Sequence, residues 1–131
     1  MSELNSIALK IISSGKGILA ADESNGTMTK RLESVNVASS SESRLKFRSI
    51  LFSSESMSSC VGGVILYDET INQSINSNAI SKIISKSNSL PGIKVDTGAK
   101  ALSSSKEEKI TEGLDGLRER LNEYYKLGAR F

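Results

Sequence analysis

Gly15-Lys16-Gly17-Ile18-Leu19-Ala20-Ala21-Asp22-Glu23-Ser24 decides how the rest of this chain is read. Two glycines bracket a lysine, an unbroken apolar run follows, and the run stops at two acids and a hydroxyl. An apolar run without alternation predicts a strand buried on both faces, as in a parallel sheet. Its final residues then emerge beyond the carboxyl end of a strand, where α/β folds place their ligand chemistry.

Two later segments repeat the format. Gly62-Gly63-Val64-Ile65-Leu66-Tyr67 runs into Asp68-Glu69-Thr70, and Pro91-Gly92-Ile93-Lys94-Val95-Asp96 runs into Thr97-Gly98. In the third run Lys94 and Asp96 alternate with Ile93 and Val95, so two charges share one strand face and need a polar cavity or partners. Helical patterns separate the runs. Leu4, Ile7, Ala8 and Ile11 make an amphipathic opening helix, stopped at Ser13-Ser14-Gly15. After the Asn25-Gly26 turn, Met28, Leu32 and Val35 mark a short helix. Ser39 and Glu42 form a capping box for the next helix, with Phe47, Ile50 and Leu51 as its apolar stripe and Arg44 and Arg48 on another face. Ala79, Ile80, Ile83 and Ile84 define a further helix, closed by Ser87-Asn88-Ser89. The polar stretch 100–112 reads as a loop. Leu114, Leu117, Leu121 and Tyr125 define a last helix capped by Gly128, and Ala129-Arg130-Phe131 begin another element. Strands alternating with helices predict βαβ units and a parallel sheet. An eight-unit barrel takes roughly 250 residues, so 131 residues with three units and the start of a fourth predict a truncated barrel.

Composition narrows the chemistry. A formal charge of +2, spread along the chain, and 5% aromatic residues argue against nucleic acid or a membrane as the main partner. Histidine is absent, which removes His-based triads, histidine metal ligands and imidazole acid–base catalysis. The single cysteine cannot form an internal disulfide, in keeping with a reducing, cytoplasmic setting. Cys60, just before the second apolar run, reads as a packed small hydrophobe rather than a nucleophile. The start Met1-Ser2-Glu3-Leu4 lacks the basic and apolar regions of a signal peptide. The serine clusters at 39–43, 53–59 and 103–105 read as caps and loops.

The blocks 15–24, Lys30-Arg31-Leu32, 62–66 with Glu69-Thr70, 92–96 with Gly98, and Gly113-Leu114-Asp115-Gly116-Leu117 occur in an order and spacing that resemble the class I (Schiff-base) fructose-bisphosphate aldolases. The resemblance covers nearly the whole chain. It implies α/β architecture, with residues 1–131 as the N-terminal part of a single (β/α)8 TIM-barrel domain. The part comprises the opening helix, three parallel strands with their helices and the start of the fourth, before the strand that carries the Schiff-base lysine. The implied activity is reversible cleavage of fructose 1,6-bisphosphate to dihydroxyacetone phosphate and glyceraldehyde 3-phosphate in glycolysis and gluconeogenesis, with no cofactor and no metal. A lysine iminium acts there as the electron sink. The resemblance also implies a homo-oligomer, a tetramer in the family, and a link to actin. It further implies that the isolated chain is inactive and poorly folded.

Carried over residue by residue, the resemblance makes Asp22 the acid at the mouth of the first strand, stabilising developing iminium charge. Ser24 and Thr27 match hydroxyls around a substrate phosphate, Lys94 a strand lysine facing the same phosphate, Arg31 a phosphate arginine and Arg44 an arginine near the cleft. Lys16 and Glu23 read as structural. Tyr67-Asp68 stands where the family has Phe-His, Thr97 replaces a lysine, and 102–111 matches poorly. Two alternatives from other classes are a receiver-type phosphorylation switch, with Asp22-Glu23 as its acidic pair, and a non-catalytic binding module.

Overall fold

The computed structural model describes residues 2–12 and 15–131. Helix α1 (Glu3–Ile12) precedes strand β1 (Gly17–Ala21), and the expected helix stop at Ser13-Ser14 lies outside the described residues. Helices α2 (Asn25–Glu33), α3 (Ser41–Phe52) and α4 (Met57–Cys60) lead to β2 (Val61–Leu66). The short helix α5 (Asp68–Ile71), the small hairpin β3 (Ser74–Ile75) and β4 (Asn78–Ala79), and helix α6 (Ile80–Lys86) connect to β5 (Leu90–Ile93). A second hairpin, β6 (Gly98–Ala101) and β7 (Lys109–Glu112), precedes α7 (Leu117–Leu127).

The glycine-led segments pair in parallel in the order β1-β2-β5. The chain's last residues extend that order: Arg130 N–H donates to Pro91 O at 2.8 Å, and Ile93 N–H donates to Phe131 O at 2.9 Å. Strand order therefore follows chain order, as in a barrel. A receiver-like doubly wound sheet has the first strand inside the sheet, whereas β1 lies at the edge here, so the switch alternative falls.

Alternation along the strands gives the sheet two unlike faces. Ala21, Val64, Leu66 and Ile93 pack with Phe52, Met57, Ile71, Ile80, Ile84, Tyr124 and Ala129 of the surrounding segments into one core. The other face carries Ile18, Ala20, Ile65 and Leu90, and the Phe131 ring lies over the bare backbone of Gly63 and Gly92. β1 is not buried on both faces as its apolar run predicts: Ile18 is 51% exposed because the strand has a neighbour on one side and helices on one face.

Several helical faces differ from the sequence pattern. In α3 the expected stripe of Phe47, Ile50 and Leu51 is exposed, and Arg48 and Phe52 face the core, because buried polar partners for Arg48 wait there. The α3 cap is Ser40 with Ser43, not Ser39 with Glu42; Ser39 is engaged by Thr29 and Arg44 instead. Val35 lies past the end of α2 and is exposed, as is Leu4 in α1. In α7 Tyr124 is buried while Leu121 and Tyr125 are exposed, because the Tyr124 hydroxyl reaches Asp68 at 2.8 Å; Leu114, expected in this helix, lies before its start and is exposed. Gly128, at φ 110°, caps α7 as expected. Cys60 is exposed rather than packed; Met57 supplies the burial of α4. Residues 100–112, expected as a loop, contain most of the β6–β7 hairpin, whose β7 is exposed throughout and so leaves no apolar alternation to read. The third strand ends at Ile93, two charges earlier than its pattern suggests. Among the described residues no helix is long and apolar enough to cross a membrane.

The β1–β2 pairing skips Gly62, and α1 packs directly on it: a Cβ there would sit 2.6 Å from the Ile11 carbonyl oxygen. Backbone cannot yield as a side chain can. Gly62→Ala is expected to destabilise the fold by about 1–3 kcal/mol, while Gly17→Ala, whose nearest contact is 3.9 Å, has a much smaller effect. Denaturant unfolding midpoints of the two variants check this.

Candidate active site

Parallel pairing brings the ends of β1, β2 and β5 to one side of the sheet. Asp22, Tyr67 and Lys94 are the first residues past those strands and therefore lie side by side. They border a cleft of about 550 Å³ together with Glu23, Ser24, Thr27, Arg31 and Asp96. Lys94 Nζ lies 4.0 Å from Asp22 Oδ2 and forms an ion pair with Asp96. The Lys94 ammonium, aided by the Gly98 N–H at 3.0 Å, holds the Asp96 carboxyl below the usual carboxylate range. This turn at Asp96 also explains why the strand stops: the backbone leaves the sheet after Lys94 and enters β6.

Ser24 caps α2, its Oγ accepting the Thr27 N–H at 3.3 Å and lying 3.2 Å from the Thr27 hydroxyl. The amino end of α2 thus opens on the cleft with two hydroxyls and the positive pole of the helix, an arrangement that suits an oxyanion. Arg31, one helical turn on from Thr27, stands at the rim, more than half exposed and paired with Glu23.

Arg44 is placed elsewhere. Its guanidinium grips Glu69 with both arms, at 2.8 Å from Nε and 2.6 Å from Nη2, and gives a third bond to Ser39 at 3.1 Å. Asn25 Nδ2 reaches the same Glu69 carboxylate at 3.3 Å, so the cluster ties α3 and α5 to the start of α2. The hydrogen bonds from Arg44 push the Glu69 carboxyl below its usual range and raise the Arg44 guanidinium in return. Arg44 does not line the cleft; it stands behind it, bound to Glu69 and Ser39. Behind the Asp22-Glu23-Ser24 turn lies Arg48, fully buried, with its proton affinity lowered by burial and supported by Glu23 and Glu69; it remains charged, as arginine does in proteins.

Of the cleft residues, Glu23 and Tyr67 are not marked by the sequence reading, whereas Asp96 shares the strand face of Lys94 that the alternation marks as needing a polar cavity or partners. The signal for Tyr67 was available: it ends its apolar run as Asp22 ends the first. Glu23 gives no such signal, because its two arginine partners come from different helices.

A short parallel sheet in barrel order, with acid, amine, hydroxyls and a helix amino end gathered at its carboxyl edge, defines the class: an α/β fold of barrel strand order with a polar cleft at its strand ends. Comparison with known proteins makes this specific. A family model described as "Fructose-bisphosphate aldolase class-I" matches residues 3–131. The chain belongs to the class-I fructose-bisphosphate aldolase family. It is 46% identical over 132 residues to a probable fructose-bisphosphate aldolase class 1 of Xylella fastidiosa, covering 100% of this chain and 40% of the relative. It is 47% identical to fructose-bisphosphate aldolase B of Sparus aurata, over 98% of this chain and 36% of the relative. A solved structure of the Plasmodium falciparum aldolase, crystallised with TRAP and a small-molecule inhibitor, superposes with a TM-score of 0.93 at 42% identity, over 98% of this chain and 38% of that one. The chain thus spans between 35% and 40% of the length of these curated relatives.

The Glu69–Arg44 pair gives a pH dependence. Because the folded carboxyl titrates below its ordinary value of 4.5, its contribution to stability is complete above that pH and is lost as pH falls through the lower folded value. Acid titration of the unfolding midpoint is expected to show that loss, and Glu69→Gln to flatten the profile in this range while lowering stability near neutrality.

Proposed function

We propose that this chain forms the first part of a class I aldolase barrel, and that the whole protein cleaves fructose 1,6-bisphosphate reversibly to two triose phosphates. The observation that carries the proposal is the pairing of Asp22 and Lys94 across strand ends, 4.0 Å apart, beside the amino end of α2. The apolar sheet face of Ile18, Ala20 and Ile65 fits an interior that further strands close. On this reading the amine that forms the Schiff base stands on a later strand, where its iminium takes up the electron pair as the carbon–carbon bond breaks.

Asp22 then orients the substrate hydroxyls and stabilises positive charge as the iminium develops. Lys94 is a compact charge suited to phosphate, and Ser24, Thr27 and the α2 amides donate to the same group. Arg31 adds charge from the rim. Lys94 is held between two carboxylates, Asp22 and Asp96, which places it as a charge partner in the cleft and leaves the Schiff-base role to the later lysine. The same reading includes a homo-oligomer, a tetramer by likeness, in a cytoplasmic setting.

A chimera joining residues 3–131 to the remaining portion of the Xylella relative tests this. It is expected to cleave fructose 1,6-bisphosphate, and borohydride trapping with dihydroxyacetone phosphate is expected to modify a lysine of the added portion, not Lys94. An inactive chimera that folds would count against the proposal. Within the active chimera, Asp22→Asn is expected to lower kcat about 100-fold with little change in KM. Lys94→Ala is expected to raise KM for the bisphosphate about 10-fold and to affect a monophosphate substrate less. Steady-state kinetics on both substrates separate the two roles; equal losses on both would remove Lys94 as a phosphate ligand.

A further inference from the structure

Helix α3 turns an arginine inward while three large apolar side chains, Phe47, Ile50 and Leu51, stay in water. The inward residue, Arg48, is 0% exposed. A buried guanidinium is costly unless its donors are used; Arg48 uses both terminal nitrogens in one direction, and its Nε has no partner among the described residues. Nη2 donates to the Glu23 main-chain oxygen at 2.6 Å and lies 3.7 Å from the Glu23 carboxylate. Nη1 donates to Thr70 Oγ1 at 2.7 Å, and Thr70 is itself fully buried.

These partners follow two different strands. Glu23 lies in the turn after β1, between Asp22 and the α2 cap Ser24; Thr70 lies in α5, after β2. We infer that Arg48 is a positioning residue for the cleft, fixing the Glu23 peptide from behind and, through the Glu23 carboxylate, the guanidinium of Arg31 in front. The inference rests on the functional reading above and assigns a role that reading leaves open.

The chemistry follows from the fork. Holding the Glu23 carbonyl sets the peptide plane that turns the chain out of β1, which directs Asp22 into the cleft and starts α2 with Ser24 at its cap. The Glu23 side chain, placed between Arg48 and Arg31, passes the constraint to the rim. A planar fork reaches Glu23 and Thr70 at once; a lysine point charge cannot. Misplacement of reacting groups by fractions of an ångström to 1 Å reduces rates steeply.

The test uses the chimera with Arg48→Lys, Thr70→Val and, as a purely structural control, Ile84→Val in the fully buried core of α6. Arg48→Lys is expected to lower kcat/KM for fructose 1,6-bisphosphate about 10- to 100-fold, with both a lower kcat and a higher KM. Thr70→Val, which leaves the Glu23 bond in place, is expected to act in the same direction but less. Ile84→Val lowers the melting temperature without changing either constant. In hydrogen exchange, the amides of residues 23–27 are expected to lose protection in Arg48→Lys while those of β2 keep theirs. Variants that melt earlier but retain native kcat, KM and exchange at 23–27 would overturn the inference. A native chimera without aldolase activity would instead defeat the functional reading, and the exchange difference would still decide the role of Arg48.

Discussion

Parallel strand pairing is the constraint on which the rest of this structure depends. With β1, β2 and β5 running the same way, whatever residue follows each apolar run must emerge at a single edge. Asp22, Tyr67 and Lys94 are far apart in sequence and become neighbours for that reason alone. The helices then have two tasks: they cover the face that carries Val64, Leu66 and Ile93, and they bring charge to the edge where the strands stop.

Charge at that edge is managed in layers. Lys94 stands between Asp22 and Asp96 and remains partly open to water. Further back, Arg44 and Glu69 form a two-armed pair that joins α3, α5 and the start of α2. Arg48 lies deepest and places its two terminal nitrogens on a carbonyl, a hydroxyl and a more distant carboxylate. The depth of each cation follows its hydration: the guanidinium, weakly hydrated and rich in directed donors, goes inside, and the ammonium stays at the cleft.

The strands were readable because glycine, an apolar run and a terminal acid leave an unambiguous pattern at 15–24, 62–70 and 91–98. Asp22 is marked by its place at a strand end; Lys94, inside its run as the sequence reads it, is marked by the strand face it shares with Asp96 and by the family resemblance. The faces of α3 and α7 were not readable, since a hydrophobic stripe assumes that apolar residues turn inward. In α3 the inward position is won by a guanidinium with buried acceptors, and in α7 by a tyrosine whose hydroxyl finds Asp68. Those partners lie 22 and 56 residues away in the chain, beyond any local pattern. The β6–β7 hairpin escaped for the opposite reason, since a ribbon largely wetted on both faces carries no pattern.

The Phe131 ring over Gly63 and Gly92 has a consequence for how such a sequence can drift. A Cβ on either glycine would come within 2.7 Å of that ring, so the two bare positions and the aromatic form one shared volume divided among three strands' worth of backbone. A methyl group gained at either glycine must be matched by bulk lost at 131, and a smaller residue at 131 opens a gap that only a larger one at 63 or 92 can fill. Across relatives these positions are expected to change as a set, and a substitution tolerated at one of them in another background carries no guarantee of being tolerated here.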